Sequence, residues 1–328
     1  MGAGTFDYSA FSLRDFRSFS EQVETAYRAL DMAGRRLQAE QLRNASDAER
    51  TRALTRLGMD VFGVDEDDAR GMTTVVNILH WWKKLGRKTF YIAPDLAQML
   101  QNTETGAVDS SWLKLPFNYV LLQLPLGAMA LTHVDGSLHP VQSLLVSSAT
   151  DVNNTPMLIA VAIYGDAYGT FAMEIREGRS VKEAAANVVN DKSDPGVKAA
   201  IELLTGIVCY ISSRRELKES DSPGKELMAA AHRKKSSKKR AKIERRANEH
   251  GLWPRYILGE GIVITDEHGN PASTFESGRT INCRFMVRGH WRNQAYGPGR
   301  SKRKLLWIKP FWKGPKNAAE LVQRYIVT

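Results

Sequence analysis

Cysteine is scarce in this chain: Cys209 and Cys283 are the only two among 328 residues. Neither has a neighbour at metal-ligand spacing, which argues against a disulfide framework and a structural zinc site. Both fall in segments patterned as buried structure. Long apolar runs are also missing. The most apolar stretches, around Val120 and Leu158, are broken by Pro and Gly short of the ~18 residues of a membrane span. The first residues, MGAGTFDYSAFSLRDF, lack the basic-then-apolar order of a secretory signal. Phe6 stands where N-myristoylation needs Ser or Thr. The expectation is a soluble, cytoplasmic protein with no membrane contact. No Walker-type Gly-rich loop and no Gly-x-Ser-x-Gly elbow occurs. No metal site and no cofactor is indicated.

Acidic residues are absent from one long stretch, Arg279 to Lys316, which holds eleven Arg or Lys. A second basic segment, Lys225 to Glu249, has ten basic and three acidic residues. The whole chain is +10; these two segments contribute +11 and +7, which leaves −8 for the remainder. An acidic body thus carries two cationic segments, a distribution that favours a polyanionic partner.

Periodicity sets the organisation. Residues 1–86 read as an N-terminal helical region. Phe16, Phe19, Val23, Ala26 and Leu30 recur at spacings of three and four, and a second helix runs from Asp67 to Leu85 before Gly86. His80-Trp81-Trp82 within it reads as core packing. Residues 87–217 read as an α+β body. A strand at Thr89 to Ile92 and a helix from Pro94 lead into short β-rich runs from Trp112 to Ala172, separated by turn signals. These predict an antiparallel meander of four or five strands. His133 and His139 flank Asp135-Gly136, which a hairpin tip explains better than a metal site. A capping box at Ser180 and Glu183 opens a helix to about Val189, and Pro195 opens another to about Ser213; both are expected to cover one sheet face. Residues 218–252 form a basic helical connector with almost no apolar stripe, either solvated or docked on something charged. Residues 253–328 form a basic, aromatic, β-rich segment. The fold class expected is α+β, an antiparallel sheet covered by helices.

Within the last segment, Ile281, Cys283, Phe285 and Val287 alternate with Arg284, Met286, Arg288 and His290. That pattern predicts a strand with one buried and one cationic face. Tyr296-Gly297-Pro298-Gly299-Arg300 predicts a turn, and Lys304 to Phe311 a returning strand. Arg and Lys can neutralise phosphates, and Arg can fork two hydrogen bonds. Unpaired bases can stack on Trp291 and Tyr296. The residues expected to bind nucleic acid are Arg284, Arg288, His290, Trp291, Arg292, Tyr296, Arg300, Lys302 and Arg303. The connector would add Arg233, Lys234, Lys235, Lys238, Lys239 and Arg240 through sequence-blind phosphate contacts. Trp307 and Trp312 are expected in the core.

The run GHWRNQAYGPGRSKRKLLWIKPFWKGP resembles a motif shared by phage, prophage and plasmid proteins: Gly-His-Trp-Arg, then Tyr-Gly-x-Gly-Arg, then Trp-Ile-x-Pro. With LKLPFNYVLLQLP and the order of meander, GRSVKEAAANVV and apolar helix, the pattern from about Leu113 onward resembles the family of the type V-A anti-CRISPR proteins that suppress synthesis of their target nuclease. The resemblance implies a regulator that recognises RNA, a ribosome or a nascent polypeptide and lowers gene expression. It carries over to Arg288, His290, Trp291, Tyr296, Gly297, Gly299 and Arg300 as a functional surface. A different reading of the same residues is a metal-independent endoribonuclease centred on His290, with His290 or Tyr296 as acid or base and Arg side chains stabilising the developing charge. The stretch lacks the paired carboxylates of a metal-dependent nuclease. A third is a scaffold whose basic segments bind nucleic acid without sequence choice.

Overall fold

A computed structural model describes residues 65–132, 136–150, 154–164, 167–186, 195–214, 255–260, 262 and 285–313, with isolated positions between 55 and 60 and between 188 and 243. The expected helix carrying Phe16 to Leu30, Arg284, Cys283 and the hairpin tip at 133–135 lie outside the described residues.

The centre is a six-stranded sheet in the order β8-β7-β6-β3-β1-β9. Its strands are β1 (Thr89–Ile92), β3 (Tyr119–Gln123), β6 (Ser143–Thr150), β7 (Pro156–Tyr164), β8 (Ala167–Glu174) and β9 (Arg255–Leu258). The predicted meander is there: β3, β6, β7 and β8 pair antiparallel in succession. The sheet is nevertheless mixed, because β1 pairs in parallel with both β3 and β9. The short strands β4 (Ala130–Thr132) and β5 (Leu138–Pro140) form a separate antiparallel pair. His139 lies in β5 with its Nε2 2.8 Å from Ser137 Oγ. No cluster of three metal-ligating residues occurs among the described residues.

Both sheet faces are covered, which is why its strands read as near-continuous apolar runs. Along β3 and β6, Val120, Leu122, Leu144 and Val146 enter one core while Leu121 and Leu145 enter another. The second core is closed by Val75, Val76, Ile78, Leu79 and Trp82 of α1 (Glu66–Lys84). Gly86, with φ of 94°, reverses the chain after α1, and the Arg87 amide donates back to the Trp82 carbonyl at 2.9 Å. This left-handed cap suits glycine. Trp82 packs as expected, with Nε1 donating to the Lys88 carbonyl at 3.0 Å. Trp81 does not: it is 38 % exposed.

On the opposite face lie α2 (Pro94–Gln101) and α4 (Pro195–Ser213), with the single turn α3 (Val181–Ala184) started by the predicted capping box. That helix is shorter than its pattern suggested. By length and composition α4 is long and apolar enough to cross a membrane. Here its residues Ile201, Leu204, Ile207, Val208 and Ile211 fill the core. Cys209 is buried beside them, and burial pushes its thiol up to about 12.

The C-terminal segment does not stand apart. β9 extends the central sheet through β1, and a three-stranded sheet β12-β11-β2 joins β11 (Gly289–Tyr296) and β12 (Lys302–Ile308) to β2 (Thr103–Glu104) of the body. Strands β10 (Phe285–Val287) and β13 (Phe311–Lys313) form a further antiparallel pair at the base of that hairpin.

Candidate nucleic-acid interface

The turn and the returning strand lie where expected, but the strand expected up to His290 is divided: Phe285–Val287 pairs with β13, and the hairpin partner of β12 is β11, Gly289–Tyr296. The hairpin register sets Trp291 opposite Trp307, Arg292 opposite Leu306, Gln294 opposite Lys304 and Tyr296 opposite Lys302. Side chains alternate across a strand, so directly opposed residues share a face. One face carries Trp291, Asn293 and Ala295 with Trp307, Leu305 and Arg303. The other carries His290, Arg292, Gln294 and Tyr296 with Ile308, Leu306, Lys304 and Lys302.

The first face anchors the hairpin. Trp291 is 9 % exposed and stacks on Trp307 across the strands, ring centroids 5.7 Å apart. Trp307 in turn meets the Tyr210 ring of α4 edge-on at 5.5 Å. Its Nε1 donates to Thr103 Oγ1 at 3.2 Å. Gly289 lies where backbone meets backbone: a Cβ there would sit 2.8 Å from the Ile308 carbonyl oxygen and 2.7 Å from Thr103 Oγ1. Trp291, expected to stack on a base, is therefore part of the packing that seats the hairpin. Trp307 is half-buried in the same packing, as expected, and Trp312 is half-buried in β13.

The second face points to solvent. His290, Arg292, Lys302 and Lys304 are exposed, with Tyr296 40 % and Leu306 37 % exposed. The Lys304 ammonium stands 5.6 Å from the Tyr296 ring centroid, a cation–π contact that holds both at the surface. Lys304 and Leu306 were not singled out by the sequence. The register is the signal that finds them, because it puts both on the face of Arg292 and Tyr296, with Leu306 directly opposite Arg292. At the tip, Gly297, Gly299 and Arg300 adopt φ of 82°, 60° and 57°. Arg300 is exposed there, and its carbonyl accepts from Arg303 Nη1 at 2.8 Å. Beyond β2, which reaches only His290, β11 has no strand partner other than β12 among the described residues. Residues 291–307 thus form a two-stranded ribbon.

Not every expected residue joins this face. Arg288 precedes β11 and pairs with Glu104 Oε1 of the body at 3.3 Å. The stretch has no carboxylate of its own, but β2 brings one alongside. His290 and Tyr296 share a face but are six residues apart on one strand, ~20 Å at ~3.3 Å per residue. They do not form an acid–base pair. In the connector Arg233, Lys238, Lys239 and Arg240 are exposed and the last three are helical; Lys234 and Lys235 lie outside the described residues.

Fold and site together define an α+β protein that presents an acid-free cationic ribbon seated by a tryptophan pair. The AcrVA2-like family model, described as the anti-CRISPR type V subtype A2 family, matches residues 90–314, and the chain belongs to that family. The chain is also similar to the crystal structure of AcrVA2, at 13 % identity over 91 % of this chain and 99 % of that one, with a TM-score of 0.49. No curated protein matches it.

Proposed function

We propose that this protein is a mobile-element-encoded anti-CRISPR-type regulator that suppresses gene expression by binding RNA, in free or ribosomal form. The observation that carries the reading is the solvent face of the β11–β12 ribbon. Arg292, Lys302 and Lys304 lie on it, Arg300 and Arg303 flank it at the tip, and no Asp or Glu occurs between Gly289 and Lys316. Cations without carboxylate neighbours exchange condensed counterions for phosphate contacts, which gives steep salt dependence. Tyr296 supplies an aromatic surface of the kind on which a base stacks. Family membership supports an anti-CRISPR role, and a nascent polypeptide is a further candidate partner. The wide spacing of His290 and Tyr296 favours binding over cleavage.

The test has two parts. Purified protein is titrated with single-stranded RNA at several salt concentrations, and the chain is co-expressed with a type V-A nuclease while nuclease protein and mRNA are measured. The expected outcome is salt-dependent binding and loss of nuclease expression, both weakened in Arg292→Gln with Lys304→Gln. Full suppression by that double variant would overturn the assignment of the ribbon.

A further inference from the structure

We infer that the protein has a second nucleic-acid contact surface, at the end of the central sheet where β1, β3 and β9 begin, built on Lys84 and Lys88. Three segments that are remote in sequence converge there: residues 81–90, 112–120 and 255–258. Together they hold six Lys or Arg (Lys83, Lys84, Arg87, Lys88, Lys114 and Arg255) and no Asp or Glu.

Aromatic rings hold the two key ammonium groups. Lys84 Nζ stands 4.6 Å from the Trp81 ring centroid. Lys88 Nζ stands 5.0 Å from Phe117 and 6.0 Å from Tyr256. Among the described residues neither lysine makes an ion pair. A cation over a ring keeps its charge and most of its N–H donors available, whereas one locked to a carboxylate does not. Trp81, 38 % exposed, is itself near-parallel to the Tyr119 ring at 6.4 Å. Ordered cations set among aromatic rings suit a sugar–phosphate backbone with its bases better than they suit an acidic peptide.

Contacts also lead from this surface toward the ribbon. Lys114 is tied to the end of α4: its amide donates to Ser212 Oγ at 3.1 Å, and Ser212 Oγ donates to its carbonyl at 2.7 Å. Two residues back along α4 is Tyr210, the ring against Trp307, with the exposed Arg214 guanidinium 4.4 Å above it. The inference takes from the proposed function only that the ligand is nucleic acid.

The test uses the full chain and fluorescently labelled oligo-uridine, with anisotropy read across a series of salt concentrations. Lys84→Gln with Lys88→Gln is expected to weaken binding several-fold and lower the log–log salt slope by ~1.4, two phosphate contacts at ~0.7 each on a single strand. Lys84→Gln alone, which leaves Lys88 on its two rings, is expected to produce about half of that slope change. An unchanged slope in both variants, with unchanged melting temperatures, overturns the inference. So does polyglutamate that displaces the RNA from wild type but not from the double variant, since the surface would then be a site for acidic protein. Wild-type affinity in Arg292→Gln with Lys304→Gln, alongside loss in the Lys84 and Lys88 variants, would overturn the ribbon and support this surface. The reverse result would do the opposite.

Discussion

Trp291 and Arg292 are neighbours in sequence with opposite roles. The pleat sends the indole into the packing against Trp307 and the guanidinium into solvent. Trp291→Ala is expected to cost ~3–5 kcal/mol of stability, the usual range for a buried large-to-small change at an aromatic. Arg292→Ala is expected to leave the melting temperature unchanged and to weaken RNA binding. Thermal melts and anisotropy on the two variants check the contrast. Cys209 offers a second measurement. Burial raises its thiol from an ordinary 9.0 to about 12. Below pH 9.0 the group is neutral in both folded and unfolded chains, so its contribution to stability is fully present. Above that the unfolded chain releases a proton that the folded one retains. Stability then falls by up to about 1.4 kcal/mol per pH unit, until the folded thiol titrates near pH 12. In a Cys283→Ser background, iodoacetamide at pH 8 is expected to leave the native protein unlabelled and to react once denaturant is added.

The ribbon and its seat make the corresponding argument at the level of elements. β11 and β12 pair over seven residue pairs, yet β2 meets β11 at only two. Seating therefore depends on side-chain packing at the root and on the close approach at Gly289. Gly289→Ala is expected to destabilise the ribbon, because its Cβ would meet the Ile308 carbonyl oxygen at 2.8 Å, a backbone atom that cannot swing away. Hydrogen exchange is expected to rise selectively over residues 289–308 in that variant. Uniform exchange across the chain would count against the close approach as the cause. Removing the ion pair that ties Arg288 to Glu104 is a milder change. The partners are 33 % and 64 % exposed, and Glu104→Gln should cost no more than ~1 kcal/mol.

At the scale of the whole molecule, the parts arrange charge. Helices on both faces bury the sheet, and that burial uses the apolar strands completely, leaving polar and cationic residues for edges, ends and hairpins. If His290 only binds, RNA incubated with the protein in EDTA stays intact. Cleavage that disappears in His290→Ala would establish the endoribonuclease reading in its place. Deleting residues 233–246 is expected to lower affinity for all RNA sequences equally, because phosphate contacts carry no sequence information. A sequence-selective loss would show that the connector reads bases.

Local sequence decided much of this. The strand at Thr89–Ile92, the helices from Pro94 and Pro195, the capping box at Ser180, the meander, and the glycine turn with its returning strand all follow from periodicity, capping and turn chemistry, which act within a few residues. The acid-free cationic stretch was legible for the same reason. Tertiary structure alone decided which strands share a sheet and which side chains meet. The parallel pairing of β1 with β9, the Glu104 partner of Arg288, the burial of Trp291 and the convergence around Lys84 and Lys88 all join residues far apart in the chain. Such contacts are selected by the global burial of apolar surface, and no local spacing records them.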